Sequence, residues 1–583
     1  MMKKITILLC LAVAVAVAVG AREKTVTLKV VETSDVHGSF FPYDFINRRD
    51  VNGSLARAQT YVKELRSMYG RNVILLDNGD ILQGQPVCYY SNYIAADKMN
   101  IVAKVTNAMG YEAQTMGNHD VETGHEVYDK WIGETHCPVL GANIIDRQTG
   151  EPYVEPYTII ERDGVRIAVI GMITPAIPNW LNEDLWRGMR FDEMTAAARK
   201  WVRHVRETER ADIVIGLLHS GREGGITTND YEEDASLRVA KEVAGFDLVL
   251  FGHDHNTFAG EVTNVNGDRV VCLNPANAAR CLAVATIEMK VKTRRGGKAK
   301  ILSKKVTGEL VDINKTAIDN EYMEMFKDDI AEVKAFTEQV IGEMENDLYS
   351  RDSFFGSSAF VDIIHDLQLE KTGADISLNA PLMFNARIKK GDIRVSDLFN
   401  LYRFENRIYV LRMTGEEIRK HLEMSYDLWV NTMKSPDDHI MMLDTRTVND
   451  NQRTGFKNMT FNFDSAVGID YEVDVTKPDG EKVNILGMSN GEKFEKDKWY
   501  KVVMNSYRGN GGGELLTKGV GLSKEEIEKR IIWKSERDQR YYLMEKIKQV
   551  GTMNPVAHNN WRFVPEEWTK PAIERDRKLL FNR

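Results

Sequence analysis

Five short stretches of the chain carry oxygen and nitrogen donors of the kind that hold divalent cations. They are Ser34-Asp35-Val36-His37-Gly38, Asn78-Gly79-Asp80, Met116-Gly117-Asn118-His119-Asp120, His219-Ser220-Gly221 and Gly252-His253-Asp254-His255. Asp35, His37, Asp80, Asn118, His219, His253 and His255 make seven such donors, with no thiolate among them. A set of carboxylate, amide and imidazole groups suits a pair of Zn²⁺, Mn²⁺ or Fe ions, not a cysteine-built structural site. Two ions about 3.5–4 Å apart clamp both ends of an in-line phosphoryl displacement, and they lower the pKa of a water enough to yield hydroxide near neutral pH. A carboxylate has two oxygens, so Asp80 is the expected bridge between them.

These donors need elements that bring them together. Apolar runs at 26–31, 73–76, 213–218 and 247–251 precede Asp35, Asp80, His219 and His253, and read as buried strands. Ligands at the ends of neighbouring strands converge at one edge of a sheet, where open α/β folds place their sites. Helices are expected over 61–69 and 193–208, between the motif strands.

The order Asp-x-His, Gly-Asp, Gly-Asn-His-Asp, His-Ser-Gly, Gly-His-x-His resembles the calcineurin-like metallophosphoesterases. The downstream half resembles the bacterial 5′-nucleotidase family, which includes UDP-sugar hydrolases and 2′,3′-cyclic nucleotide phosphodiesterases. The resemblance spans roughly residues 25–535. It implies a two-domain α/β fold: an N-terminal four-layer α/β/β/α sandwich over 22–315 and a C-terminal α/β substrate-binding domain over 346–540, joined by a long helix within 316–345. One ion would take Asp35, His37, Asp80 and His255; the other Asp80, Asn118, His219 and His253. His119 would then be no ligand but a positioned imidazolium that stabilises phosphoryl charge or protonates the leaving alkoxide. Its orienting carboxylate in relatives falls at Glu122, with Asp120 the competing choice.

The 583 residues exceed what one core usually supports, in keeping with two domains. Residues 1–21 read as a secretory signal: Lys3 and Lys4, an apolar run over 5–19, then Ala18-Val19-Gly20. Cleavage would place the mature chain in the periplasm or outside the cell, and no later stretch is apolar enough to span a membrane. Losing the two lysines takes the net charge from −9 to −11, an acidic balance that argues against long nucleic acids as partners. Small phosphates remain compatible, because bound cations reverse the local field. Cys88, Cys137, Cys272 and Cys281 lack zinc-finger spacing, and no pair is assigned.

Residues 318–345 show the strongest helical pattern, with Tyr322, Phe326, Ile330, Val333, Phe336 and Val340 at three- and four-residue steps. In the second domain the resemblance nominates Asn379, at the end of a strand, and two aromatic rings, Phe404 and Tyr507, that sandwich a base in relatives. Asn406 follows from the Phe404-Glu405-Asn406 stretch, which resembles Phe-Gly-Asn. The arginine that holds phosphate in relatives is replaced by Asn385; Arg387 and Arg351 are the nominated substitutes. The ribose-binding aspartate falls at Gly513. Residues 541–583 read as an extension packed on the surface. The expected protein is an exported two-metal phosphohydrolase acting on a small phosphate ester, a nucleotide in the 5′-nucleotidase manner. The alternatives are a 2′,3′-cyclic nucleotide phosphodiesterase, a hydrolase of a non-nucleotide ester, and a catalytically silent binding protein on the same fold.

Overall fold

A computed structural model describes residues 23–293, 299–448 and 451–581. The signal segment read at 1–21 lies outside the described residues. Twelve strands build the two main sheets of the N-terminal domain: β1 (Glu23–Thr33), β2 (Val73–Asp77), β3 (Ala113–Thr115), β4 (Val139–Leu140), β5 (Tyr157–Arg162), β6 (Val165–Ile173), β7 (Ile213–His219), β8 (Leu248–Phe251), β9 (Thr257–Thr263), β10 (Arg269–Pro275), β11 (Cys281–Thr293) and β12 (Ala299–Asp312). They form two six-stranded sheets, ordered β12-β11-β1-β2-β3-β4 and β9-β10-β8-β7-β6-β5.

The apolar runs are continuous because both faces of the sheets are covered. From β2, Ile74 and Leu76 point into the core between the sheets, while Val73 and Leu75 point at the outer helices. Leu28 and Val30 of β1 meet Ile215, Leu217 and Leu250 of the facing sheet in the same inner core. Helices Leu55–Tyr69, Ile101–Met109 and His125–Glu134 cover one outer face. Helix Met194–Glu207, whose first turn is capped by the Glu193 carboxylate, and Ser236–Glu242 cover the other. The result is the expected α/β/β/α order. In the first sheet β1 through β4 run parallel, and in the second β6, β7, β8 and β10 do, so the carboxyl ends of each set open on one edge.

The expected long helix over 318–345 is corrected. It is two helices, Asn320–Met325 and Lys327–Glu338, broken where Phe326 leaves helical backbone (φ −106°, ψ 12°), and Val340–Met344 is a strand. The helical spacing runs on past Glu338, but the β-branched pair Val340-Ile341 followed by Gly342 favours extension. Pairing with Gly391–Arg394 and Thr552–Met553 satisfies that backbone.

The C-terminal domain centres on a five-stranded sheet ordered Ser465–Val467, Ile376–Asn379, Trp499–Asn505, Arg407–Thr414, Ile531–Asp538. The tail is also corrected, for it is woven into this domain instead of lying on it. Strand Trp561–Val564 pairs in parallel with Ile469–Asp474, and the Trp561 ring stacks on Tyr471 at 5.8 Å. Helix Glu566–Phe581 adds Ala572 and Leu580 to the same core. Charged residues such as Arg562, Lys570, Glu574 and Lys578 lie on the exposed face of these elements, whereas Asp576 is buried and accepts from Met441 N–H at 2.9 Å. Among the described residues no helix is long and apolar enough to cross a membrane, and the four described cysteines are free thiols.

Candidate active site

The seven nominated donors sit at or just past the carboxyl ends of β1, β2, β3, β7 and β8, with His219 the last residue of β7 and Asn118 the first of the short helix Asn118–Glu122. Five of them hold left-handed backbone: Asp35 (φ 49°), His37 (48°), Asp80 (56°), His253 (73°) and His255 (56°). A residue with a Cβ is held there at a cost on the order of 1 kcal/mol each. The strain is imposed by neighbouring turns, with Asp35 N–H donating to the Gly79 carbonyl and His37 N–H to the Asp80 carbonyl, both at 3.0 Å. Gly117 is required by close approach: a Cβ there would lie 2.2 Å from Asp80 Oδ1 and 2.4 Å from Asp80 N. Gly117→Ala is therefore expected to push Asp80 out of place and weaken cation binding by about 10-fold or more. Metal retained per chain after dialysis is the check, and unchanged occupancy would show that Asp80 has room to shift.

The side chains form two groups able to hold a cation, Asp35, His37, Asp80 and His255, and Asp80, His219 and His253, with Asp80 common to both. His37 Nε2 and His255 Nε2 face each other at 3.0 Å, and His255 Nε2 lies 3.3 Å from Asp35 Oδ1. Asn118 Oδ1 lies 3.1 Å from His219 Nε2 and 2.8 Å from His253 Nδ1, completing the second group. The donors fit a cation on two counts. Asp35 Oδ1 is buried without a hydrogen bond. His219 Nδ1 donates to the Asn78 carbonyl at 2.6 Å, which turns its Nε2 toward Asn118 Oδ1 (3.1 Å) and Asp80 Oδ2 (3.2 Å), a set of donors that one cation could share.

The charges of the donors perturb one another strongly. Burial opposes charge on His219, but Asp80 and Asp35 outweigh it and lift its pKa to about 10. Burial carries His37 down to about 4 against the pull of Asp80. Burial works against Asp80 ionising too, yet His219 and His119 hold its carboxyl well below the usual range. Sequence reasoning missed Glu233, whose Oε1 sits 3.2 Å from His253 Nε2 and so orients that ring toward Asn118 through Nδ1. The acidic run Glu232-Glu233-Asp234, soon after His219, was its only signal.

His119 stands beside the shared carboxylate. Its backbone N–H donates to Asp80 Oδ1 at 2.8 Å, and its Nδ1 lies 2.8 Å from Glu122 Oε2. Burial lowers its basicity, but Asp80 and Glu122 more than compensate and raise its pKa to about 9. Asp120 is corrected as a partner for the ring. Its two oxygens accept the backbone N–H groups of Asp80, Ile81, Leu82 and Gly117 at 2.8–2.9 Å, which braces the Asp80 turn and leaves nothing for an imidazole.

The C-terminal nominees divide. Asn406 Nδ2 reaches Glu122 Oε1 at 3.4 Å, across the domain boundary. Tyr507 lies in the short helix Ser506–Gly509, with its ring edge-on to Phe461 at 5.9 Å. The next residue, Arg508, is buried and forks onto Asp464 at 2.8 and 3.1 Å. Phe404 is half-buried against the cluster containing Phe399 and Tyr402. Both substitute arginines are corrected. Arg387 pairs with Asp347 at 2.6 Å, and Arg351 lies over the Tyr349 ring, so neither guanidinium lines the cleft. Asn379 is buried inside the sheet, its amide turned to the Ala380 carbonyl. Gly513 has no room for the aspartate of relatives: with φ 69°, its Cβ would meet Asn462 Oδ1 at 2.0 Å. Beside the His119–Glu122 pair, a cleft of about 210 Å³ opens between the domains, lined in part by Glu122, Trp180, Asn182, Asn406, Arg407 and Ser506.

Two family models match the chain: Calcineurin-like phosphoesterase over residues 28–257, and 5′-nucleotidase, C-terminal domain, over residues 340–518. The trifunctional nucleotide phosphoesterase protein YfkN of Bacillus subtilis is 27% identical over 608 residues, covering 94% of this chain. The chain spans only 40% of that longer protein. The 2′,3′-cyclic-nucleotide 2′-phosphodiesterase/3′-nucleotidase of Haemophilus influenzae is 27% identical over 601 residues, 93% of this chain and 88% of the relative. Among solved structures, a candidate 5′-nucleotidase of Staphylococcus aureus superposes with a TM-score of 0.72 at 19% identity, over 92% of this chain and 99% of that one, which is a likeness of fold.

Proposed function

Because the chain belongs to the calcineurin-like phosphoesterases that carry a 5′-nucleotidase C-terminal domain, we propose that it is an exported phosphohydrolase that releases phosphate from nucleotides with two divalent ions, Zn, Mn or Fe. The observation that carries this reading is the Asp80 carboxylate shared by two donor groups beside the His119–Glu122 pair. When bound, the ions would polarise the phosphoryl group and activate a water. Asp35, His37 and His255 would hold one, and Asn118, His219 and His253 the other. His119, oriented by Glu122, would stabilise charge on the phosphoryl oxygens or protonate the leaving alkoxide. Export rests on the signal-like residues 1–21.

A second reading, hydrolysis of 2′,3′-cyclic nucleotides and 3′-nucleotides, is supported by a relative so named that aligns along nearly the whole chain. Phosphate release measured across nucleoside 5′- and 3′-monophosphates, 2′,3′-cyclic nucleotides, UDP-sugars and sugar phosphates separates the two. Activity toward none of them would leave a silent binding protein.

Substrate grip gives a further expectation. Stacking on a flat ring contributes about 1–3 kcal/mol per base whatever the base. With no arginine delivered by Arg387 or Arg351, AMP is expected to bind weakly yet be preferred over ribose 5-phosphate. Phe404→Ala is expected to raise KM more than it lowers kcat, as loss of uniform binding does. Equal kcat/KM for the two esters, unaffected by Phe404→Ala, would make Phe404 a core residue.

A further inference from the structure

Among the described residues, the hydrogen bonds from the C-terminal domain to Glu122 and Gln83, beside the catalytic cluster, come from one dipeptide, Glu405-Asn406. A carboxylate stands at Glu405 where the resembled stretch has glycine. Asn406 reaches Glu122, which holds His119. Glu405 reaches the other side of the cluster: its Oε2 accepts from Gln83 Nε2 at 3.1 Å. The backbone carbonyl of the same Gln83 lies 2.9 Å from His37 Nδ1. Glu405 is itself anchored from behind. Its Oε1 lies 3.6 Å from Arg540 Nη1, and both side chains are almost fully buried. Arg540 donates to the Tyr402 carbonyl at 3.1 Å and packs its guanidinium over the Phe399 ring at 3.9 Å.

The loop carrying Gln83 is tied unevenly. The N–H groups of Ile81 and Leu82 are held by Asp120 from within the N-terminal domain. Among the described residues the Gln83 side chain bonds to Glu405 alone, from across the domain boundary. The two halves of the cation cluster are therefore supported differently. His219 and His253 take their orientation from Asn78 and Glu233, both in the N-terminal domain. His37 takes its orientation from the Gln83 carbonyl; the neighbours Leu82 and Gln85 are held from within the N-terminal domain, by Asn92 at 2.8 Å and by the His37 carbonyl at 2.9 Å, but the Gln83 side chain is held from the C-terminal domain.

We propose that Glu405 is a positioning residue that makes cation binding on the His37 side depend on docking of the C-terminal domain, through the link Arg540–Glu405–Gln83–His37. The inference rests on the two-ion reading above. A histidine ligand binds well only when its other ring nitrogen is held, and loss of such outer partners costs metal affinity about 10–100-fold. Severing the link should weaken one ion and spare the other, an asymmetry that general destabilisation would not produce.

The test uses the full chain, stripped by a chelator and titrated with Mn²⁺ by calorimetry. The wild type is expected to take two ions. Glu405→Ala is expected to weaken one site by about 10–100-fold and leave the second unchanged. Glu405→Gln keeps an oxygen for Gln83 and is expected to bind like the wild type. Gln83→Ala should reproduce the selective loss, and the double variant should add nothing, because both changes cut one link. Two sites of wild-type affinity in Glu405→Ala would overturn the inference while leaving the function proposal standing. An equal weakening of both sites, with a lowered unfolding temperature, would overturn it as well, by reducing Glu405 to a packing role. A wild type that takes up no ion would bring down the two-ion reading and this inference together.

Discussion

Asp80→Asn is expected to retain at most one ion per chain and to hydrolyse substrate at least about 100-fold more slowly than the wild type. Asp80 is 1% exposed and lies 3.2 Å from His219 Nε2 and 4.0 Å from His37 Nε2, between the two donor groups. Asparagine keeps the shape but removes the charge and replaces one bridging oxygen with an N–H₂ that can only donate. It also tolerates the left-handed backbone that Asp80 adopts (φ 56°), so the turn should survive. The loss would then report the missing bridge and not a collapsed loop. Elemental analysis of the purified variant, beside its phosphate-release rate, checks this. Two ions per chain with near-wild-type turnover would place the bridge elsewhere.

His119→Ala is expected to do the reverse with metal, keeping both ions while losing roughly 10²–10⁴-fold in turnover, the usual scale for a positioned proton donor. The bond from residue 119 to Asp80 Oδ1 comes from the backbone N–H, so alanine preserves it. What disappears is the imidazole held by Glu122. Glu122→Gln should lower the rate in the same direction but by less, since the ring stays in place while its charge is less well supported. Metal content that fell in step with activity would make His119 a ligand.

The donor motifs were legible because metal chemistry restricts residue type: Asp, His and Asn following apolar runs point to strand ends whatever the rest of the fold does. The four-layer order was readable for a related reason. Runs such as 73–76 are apolar on both faces, so they had to lie inside a covered sheet. The resemblance supplied the partition of ligands and the pairing of His119 with Glu122, where spacing alone left Asp120 open.

Other features depended on where distant segments lie. Asp120 and Glu122 are equivalent carboxylates until the Asp80 turn occupies one of them with four backbone N–H groups. Glu233 became a partner of His253 only when the chain between β7 and β8 folded back over the cluster. Arg387 and Arg351 have the right charge and nearly the right register, but Asp347 and the Tyr349 ring engage them. The helix over 318–345 ends early because strands from positions 391 and 552 compete for its last residues. The tail enters the core because Ile469–Asp474 offers it an edge. By itself the sequence determined the chemistry available, through residue types that follow the local alternation of apolar and polar positions. Tertiary structure alone decided which of those groups meet, because a hydrogen bond or ion pair between residues 83 and 405 is set by the docking of two domains, and no local pattern in either segment encodes that distance.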